Sequence, residues 1–360
     1  MAKDVLKVKV AAVQAAPVLP MNKQATTEKA CRLIEEAGSQ GARLVAFPEG
    51  FIPMFPNWAV DMARPNEWAD NLAELILHSV EVPSEETRAI GEAARKAGAV
   101  VVMGLNERRK DYPGMLYNSL VFFGPDGKVL GRHRKFTPSH RERVFHGRGD
   151  GSDLHCVFDT EVGKVGGLIC YEHLQPLFKY ALIAQGEQIH CACWPGSWPH
   201  YPPPGRSNKE IVQIASRAYA IEGSCFVVAA SSYIPEEAAE VANLGNAHWG
   251  FPGGSAVIDP NGEYLAGPVY GKETILYADV DLYQGLRRKC YIDVCGRDAR
   301  WDVIRLDVNT NPYTPWDRGP GKEGEAGQGA EMVRGLTAKV EELEERLAQL
   351  SRQQMDGNLE

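Results

Sequence analysis

The chain of 360 residues lacks any apolar run of 18 residues, so no segment reads as a membrane-spanning helix. Its opening, Met1-Ala2-Lys3-Asp4-Val5, has no apolar core of the kind a secretory signal requires. Positive charge is not in excess either: 39 lysines and arginines stand against 47 aspartates and glutamates, for a formal net charge of −8. Arg132, Arg134, Lys135, Arg141 and Arg143 do cluster, yet no stacking aromatics are interleaved with them. In an acidic protein that pattern speaks against nucleic acid and for positioning a loop or meeting another subunit. Spaced metal-binding pairs are missing as well. His140-Arg141-Glu142 contains the H-x-E of zinc deaminases, but no Pro-Cys-x-x-Cys follows. Cys191 and Cys193 next to His190 depart from the usual zinc spacings and read as core cysteines, and Cys290 and Cys295 lack a second pair. Eight cysteines in a chain this long make no disulfide framework, so a reducing compartment, the cytoplasm, is expected.

What is present is an ordinary globular composition, 44% hydrophobic and 24% charged, enough for one large α/β domain with a developed core. Strand-like and helix-like segments alternate. Val8 to Ala15 reads as a first strand, and Ala30, Leu33, Ile34 and Ala37 mark an amphipathic helix. A helix from Ser84 to Ala97, the strand Ala99 to Met103 and a hairpin about Pro125-Asp126-Gly127 follow. Later come a helix from Asn208 to Ile221, the strand Phe226 to Ala230 and a hairpin about Pro260-Asn261-Gly262. Mixed strands with helices on both sides imply a layered α/β sandwich.

The residue that carries most information is Cys170. It ends the run Val165-Gly166-Gly167-Leu168-Ile169 and precedes Tyr171-Glu172-His173 and a helix-like segment, in which Leu174, Leu177, Phe178, Ala181 and Leu182 recur at helical spacing. Pro176 suits the first turn and Gly186 the C-terminal cap. A thiol at such a strand-to-helix corner, beside the free N–H groups of a helix start, is expected to favour its thiolate. An inert core cysteine is the plainer alternative. Two further groups sit where strands stop, as reacting groups do in open α/β sheets. Glu49 follows Leu44-Val45-Ala46-Phe47-Pro48, and Lys135 follows the hairpin arm Lys128 to Arg134. Taken singly, Glu49 also reads as a loop acid and Lys135 as one of several basic residues in a solvated stretch.

Three blocks resolve these alternatives by likeness. Ala46-Phe47-Pro48-Glu49-Gly50-Phe51-Ile52-Pro53, then His133-Arg134-Lys135-Phe136-Thr137-Pro138 with Glu142-Arg143, then Gly167-Leu168-Ile169-Cys170-Tyr171-Glu172 resemble the signature blocks of the nitrilase (carbon-nitrogen hydrolase) superfamily, in that family's order. The likeness runs from about Val8 to about Asn309, and Ala184-Gln185-Gly186-Glu187-Gln188-Ile189-His190 resembles the nitrilase branch. It implies a four-layer αββα sandwich in which two subunits stack, Cys170 as nucleophile, Glu49 as general base, Lys135 as stabiliser of the tetrahedral species, Glu142 as a second acid near the site, and no metal or organic cofactor. The activity implied is hydrolysis of a nitrile to a carboxylic acid and ammonia through a thioimidate and a thioester. Tyr171 stands where the nitrilase branch usually has tryptophan, as in amidase-like members, and Met54-Phe55 stand where a Gly-Tyr pair is common. An amidase or carbamoylase of the same superfamily is therefore the second reading, and a non-catalytic self-assembling scaffold the third.

Substrate contacts are expected from the backbone N–H of Tyr171 and from aromatic side chains. Trp194 and Trp198, in Trp194-Pro195-Gly196-Ser197-Trp198-Pro199-His200-Tyr201, read either as a lid over the Cys170 corner or as packed tryptophans of a Pro-rich surface loop. Phe55 and Trp58, after Glu49, have the same two readings. The chain divides into a catalytic domain over 1–310, a Gly/Pro-rich connector over 311–330, a helix over 331–354 and a disordered end over 355–360. In the helix Val333, Leu336, Val340, Leu343, Leu347 and Leu350 form a heptad seam among glutamates. About two and a half heptads are marginal alone, so the seam is expected to pair between subunits rather than lie on its own domain; the resemblance to the nitrilase branch points the same way and implies homodimers and higher helical oligomers.

Overall fold

A computed structural model of the chain describes residues 7–60, 65–196, 208–242 and 251–312. In chain order its elements are β1 (Lys7–Gln14), α1 (Lys23–Ser39), β2 (Leu44–Ala46), α2 (Pro65–His78), α3 (Glu85–Ala97), β3 (Val100–Arg108), β4 (Leu116–Phe123) and β5 (Val129–Arg134). The second half holds β6 (Phe158–Thr160), β7 (Gly163–Ile169), α4 (Pro176–Ala184), β8 (Ile189–Trp194), α5 (Lys209–Gly223), β9 (Phe226–Ser231) and β10 (Tyr233–Ile234). It closes with α6 (Ala239–Ala242), β11 (Phe251–Ile258), β12 (Tyr264–Tyr270), β13 (Thr274–Asp281) and α7 (Tyr283–Lys289).

The strands form two sheets. One runs β13-β1-β2-β3-β4-β5; the other runs β10-β11-β9-β8-β7-β6, with β12 beside β11. Period-2 alternation decides the layering. Val10 and Ala12 of β1 join an apolar cluster with Leu168, Ala192 and Val228 of the opposite sheet. Their neighbours Ala11 and Val13 pack instead on Ala30 and Ile34 of α1 and on Ile90 and Ala94 of α3. Leu182 of α4 and Val212 and Tyr219 of α5 cover the second sheet. The order is thus helix, sheet, sheet, helix: the four-layer αββα sandwich expected from the sequence.

Local signals set the helix ends. The Asn22 side chain accepts from Ala25 N, Ser84 forms a reciprocal cap with Thr87, and Gly98 ends α3 at φ 59°. One expected helix face is corrected. Cys170–Leu174 forms a 3-10 turn, Gln175 is extended, and the α-helix begins only at Pro176. This break resets the phase, so Leu174 and Leu177 are 50% and 66% exposed while Ala181 and Leu182 are buried. The expected tail helix over 331–354, the end over 355–360 and nearly all of the connector lie outside the described residues. Among the described residues no helix is long and apolar enough to cross a membrane.

One close approach positions the first functional loop. A Cβ on Gly104 of β3 would lie 2.0 Å from the carbonyl oxygen of Pro48. Gly104→Ala is expected to cost about 1–3 kcal/mol of stability through overpacking against backbone, read as a lower urea midpoint. Gly114→Ala, whose added carbon meets nothing within 4 Å, is expected to stay within about 0.5 kcal/mol of the parent.

Candidate active site

Three strand ends converge. β2 is parallel to β3, β3 antiparallel to β4, and β4 antiparallel to β5, so β2 and β5 point the same way and deliver Glu49 and Lys135 to one end of the sheet. Cys170 arrives at the end of β7 in the facing sheet. The backbone N–H of Glu49 donates to the carbonyl of Trp194 at 3.2 Å, which ties the loop after β2 to the end of β8.

Lys135 Nζ donates to Glu49 Oε1 at 2.8 Å and to Glu142 Oε2 at 2.7 Å, with all three side chains buried. Asn118 Nδ2 bridges the same two carboxylates, at 2.6 Å to Glu49 Oε1 and 2.9 Å to Glu142 Oε1. The backbone N–H of Ser139 adds a donor to Glu142 at 2.6 Å. Glu49 Oε2, by contrast, is buried with no hydrogen-bond partner among the described residues. Two carboxylates share one ammonium, and the charge falls to Glu142, which has the more donors. Burial opposes its ionisation, but Lys135 and His146 outweigh that and hold it well below the usual carboxylate range. Burial pushes Glu49 up to about 7, with the Glu142 charge adding to the rise against Lys135.

Glu49, Lys135 and Glu142 lie close enough to the Cys170 sulfur for their charges to act on it. The thiolate expected from the sequence is corrected here. Burial and the Glu49 charge push the thiol well above its ordinary value, and Lys135 and the backbone N–H of Tyr171 offset this only in part. No α-helix starts at the sulfur and the Cys170 thiol stays protonated at neutral pH, so a nucleophilic role for it would require a base. Its backbone has φ 51°, a left-handed conformation that costs a non-glycine residue about 1–2 kcal/mol. A strained strand-to-turn corner is also the geometry that nucleophile elbows share, although the Cys170 side chain is buried here.

The turn is clamped by a residue to which the sequence reading gave no role. Glu172 Oε2 accepts from Ile169 N at 2.9 Å and pairs with His133 Nε2 at 2.8 Å, while Oε1 accepts from Phe136 N at 2.8 Å. One carboxylate thereby fastens the residue before Cys170 to the residue after Lys135. Burial works against charge on both partners, yet the pair holds His133 well above and Glu172 below their ordinary values. Asn118 was also missed; its signal was a polar pair, Asn118-Ser119, inside the mostly apolar strand Leu116–Phe123.

The candidate substrate contacts divide. Phe55 and Trp58 are buried in an apolar cluster with Met54, Phe145 and Phe251, where Trp58 stacks on Phe145 with centroids 6.0 Å apart. Tyr171 is half-buried and packs against the main core. Trp194 forms no overhanging lid: its ring is fully buried, stacks on His173 and donates from Nε1 to Ser216 Oγ at 3.2 Å. It is the last residue of β8, and its side chain points into the core. Trp198 lies outside the described residues.

Glu172→Ala strands a buried imidazolium and two backbone donors, and is expected to cost about 3–5 kcal/mol in urea unfolding at neutral pH. Because Glu172 is held low in the fold, its contribution is present above the ordinary glutamate range and is lost as pH falls through its lowered value. The gap between parent and variant should therefore shrink in acid. A gap that is constant with pH would contradict the pairing.

Comparison with known proteins adds to this geometry. The sequence profile of the carbon-nitrogen hydrolase family matches residues 9–287. The chain is 38% identical to a nitrilase of Penicillium rubens, over 86% of this chain and 95% of that protein. It is 38% identical to an arylacetonitrilase of Aspergillus kawachii, over 84% and 92%, and 35% identical to a nitrilase of Paraburkholderia phymatum, over 86% and 88%. Among solved structures it resembles a carbon-nitrogen hydrolase from Helicobacter pylori G27, with TM-score 0.65, 23% identity, and 82% and 96% of the two chains covered. An amidase of Nesterenkonia AN1 matches with TM-score 0.58 and 18% identity over 82% and 95%. Both structural likenesses speak to the fold alone.

Proposed function

The chain belongs to the carbon-nitrogen hydrolase family, and from that premise we propose that it is a nitrilase in which Cys170, Glu49 and Lys135 convert an organic nitrile to the carboxylic acid and ammonia. The observation that carries the reading is the buried Glu49 carboxylate, one oxygen held by Lys135 and Asn118 and the other left without a partner among the described residues beside the Cys170 thiol. The choice of nitrile over amide rests on the curated relatives.

Glu49 takes the thiol proton as sulfur attacks the nitrile carbon, and passes it to the nitrogen, giving a thioimidate. Water adds with the same carboxylate as base, and the tetrahedral species expels ammonia to leave a thioester. A second water releases the acid and restores the thiol. Lys135 and the Tyr171 N–H stabilise the developing charge; donors of this sort are worth about 2.7–4 kcal/mol each. Glu142 holds Lys135 charged and in place.

A nitrile and its matched amide, each followed by ammonia release, separate the readings: amide turnover without nitrile turnover would favour the amidase alternative that Tyr171 suggests. Glu49→Gln is expected to lower kcat by about 10²–10⁴-fold. Since the base must be unprotonated and Glu49 sits at about 7, kcat/KM should fall as pH drops through about 7. A profile flat from about pH 5 to 8 would contradict Glu49 as the base.

The eight free cysteines suit a reducing cytoplasm. For assembly, the heptad seam of Val333, Leu336, Val340, Leu343, Leu347 and Leu350 on a Gly-rich tether supports pairing between subunits. Removing residues from Ala330 onward should then reduce the particle mass in light scattering by more than the deleted residues account for; an unchanged subunit number would contradict this role.

A further inference from the structure

Behind Cys170 lies a file of buried side chains that no step above uses. His173 Nδ1 is 2.7 Å from the Cys170 carbonyl, and His173 Nε2 is 2.9 Å from His190 Nε2. His190 Nδ1 is 2.8 Å from Glu187 Oε1, and the Tyr219 hydroxyl donates to Glu187 Oε2 at 2.6 Å. All four side chains are almost wholly buried.

Counting protons from the carbonyl outward fixes the direction. A carbonyl only accepts, so His173 carries hydrogen on Nδ1, and as a neutral ring it accepts at Nε2. The hydrogen between the rings must then sit on His190 Nε2, which makes His190 Nδ1 an acceptor if that ring too is neutral. Its partner Glu187 must supply the last proton. The same heavy-atom positions would also fit an ion pair, with the proton on His190 and a bare carboxylate.

We propose that Glu187 is a protonated carboxylic acid heading a one-way hydrogen-bond chain through His190 and His173 onto the Cys170 carbonyl, and so acts as a positioning residue for the nucleophile's turn. The surroundings favour the neutral form. Facing Glu187 are His190 and Cys191 from β8, Tyr219 from α5, Cys225 between α5 and β9, and Cys156 ahead of β6; among the described residues no lysine or arginine donates to it. At His190 the nearby His133–Glu172 pair acts with opposing signs. Burial accordingly pushes Glu187 up to about 8, against the Tyr219 hydrogen bond. Burial likewise lowers His190 well below its ordinary value and His173 to about 3. Space for the acid comes from Gly166, where a Cβ would lie 2.3 Å from Glu187 Oε1.

The chain has a consequence for the left-handed turn at Cys170. If Glu187 loses its proton, the favourable tautomer of each ring reverses, and His173 no longer donates to the Cys170 carbonyl. The physical content of the Gly186-Glu187-Gln188-Ile189-His190 segment is thus a proton held at neutral pH and spent on fixing the nucleophile's backbone.

Glutamine is the isostere of the protonated acid, so Glu187→Gln tests this directly. At about pH 6.5 the parent should show the infrared carbonyl stretch of a protonated carboxylic acid that the variant lacks, and ¹⁵N spectra of the parent's histidines should show His190 neutral with hydrogen on Nε2. Glu187→Gln should keep kcat within about threefold at that pH. Above about pH 8 the parent should lose rate that the variant retains, so the ratio of variant to parent climbs with pH. An imidazolium at His190, no band lost on substitution, a drop in kcat beyond about tenfold, or a ratio flat with pH would each overturn the proposal. The kinetic arm rests on Cys170 as nucleophile; the spectroscopic arm does not, and it stands even for a protein inactive on every nitrile.

Discussion

One ammonium group organises this site. Lys135 Nζ lies between the carboxylates of Glu49 and Glu142, all three out of water, so the cluster carries one negative charge more than it can neutralise. Desolvating charge is costly, and a buried pair is tolerated only where its lone pairs are met by donors. Ser139 N and Asn118 meet those of Glu142. Burial, with the Glu142 charge adding to it, therefore raises Glu49 to about 7 and leaves it one oxygen without a partner among the described residues. Burial, and after it the Glu49 charge, keeps the neighbouring thiol protonated against the pull of Lys135. In the proposed roles of Glu49 as base and Cys170 as nucleophile, proton transfer is tied to attack rather than completed before it.

The fold makes that imbalance possible by bringing its members from separate strands of two sheets. The faces of the sandwich pack so that the ends of β2 and β5 meet the end of β7. Backbone contacts hold the join: Glu49 N on Trp194 O, Pro48 O pressed against Gly104, and Glu172 linking Ile169 to Phe136. Each fixes a loop by its main chain, which leaves the side chains free for chemistry.

Much of the architecture could be read from the sequence because alternating apolar runs and turn residues report local structure. The β1 strand, the Ser84-capped helix and the two Gly-containing hairpins follow from such signals. The residues proposed to react were legible as polar groups placed where strands stop, together with the ordered blocks that carry the family likeness. Less legible were contacts that exist only in three dimensions. Glu172 stands in the third family-like block, Gly167 to Glu172, but nothing in the chain says that its carboxylate reaches His133, 39 residues away. Helical spacing after Cys170 misled because Gln175 and Pro176 break the phase, and the corner suggested a thiolate because burial cannot be read from adjacency. Trp194 belonged to an aromatic, Pro-rich stretch, yet its place as the final residue of a central strand turned it inward.

The central claim is that Cys170 sulfur bonds to the substrate carbon with Glu49 as its base. The direct test is the mass of the protein quenched during turnover of a nitrile, followed by mapping of the modified peptide. The account predicts a covalent adduct on Cys170 in the parent and no adduct and no turnover in Cys170→Ala. Turnover without an adduct, together with undiminished activity of Cys170→Ala, would contradict it.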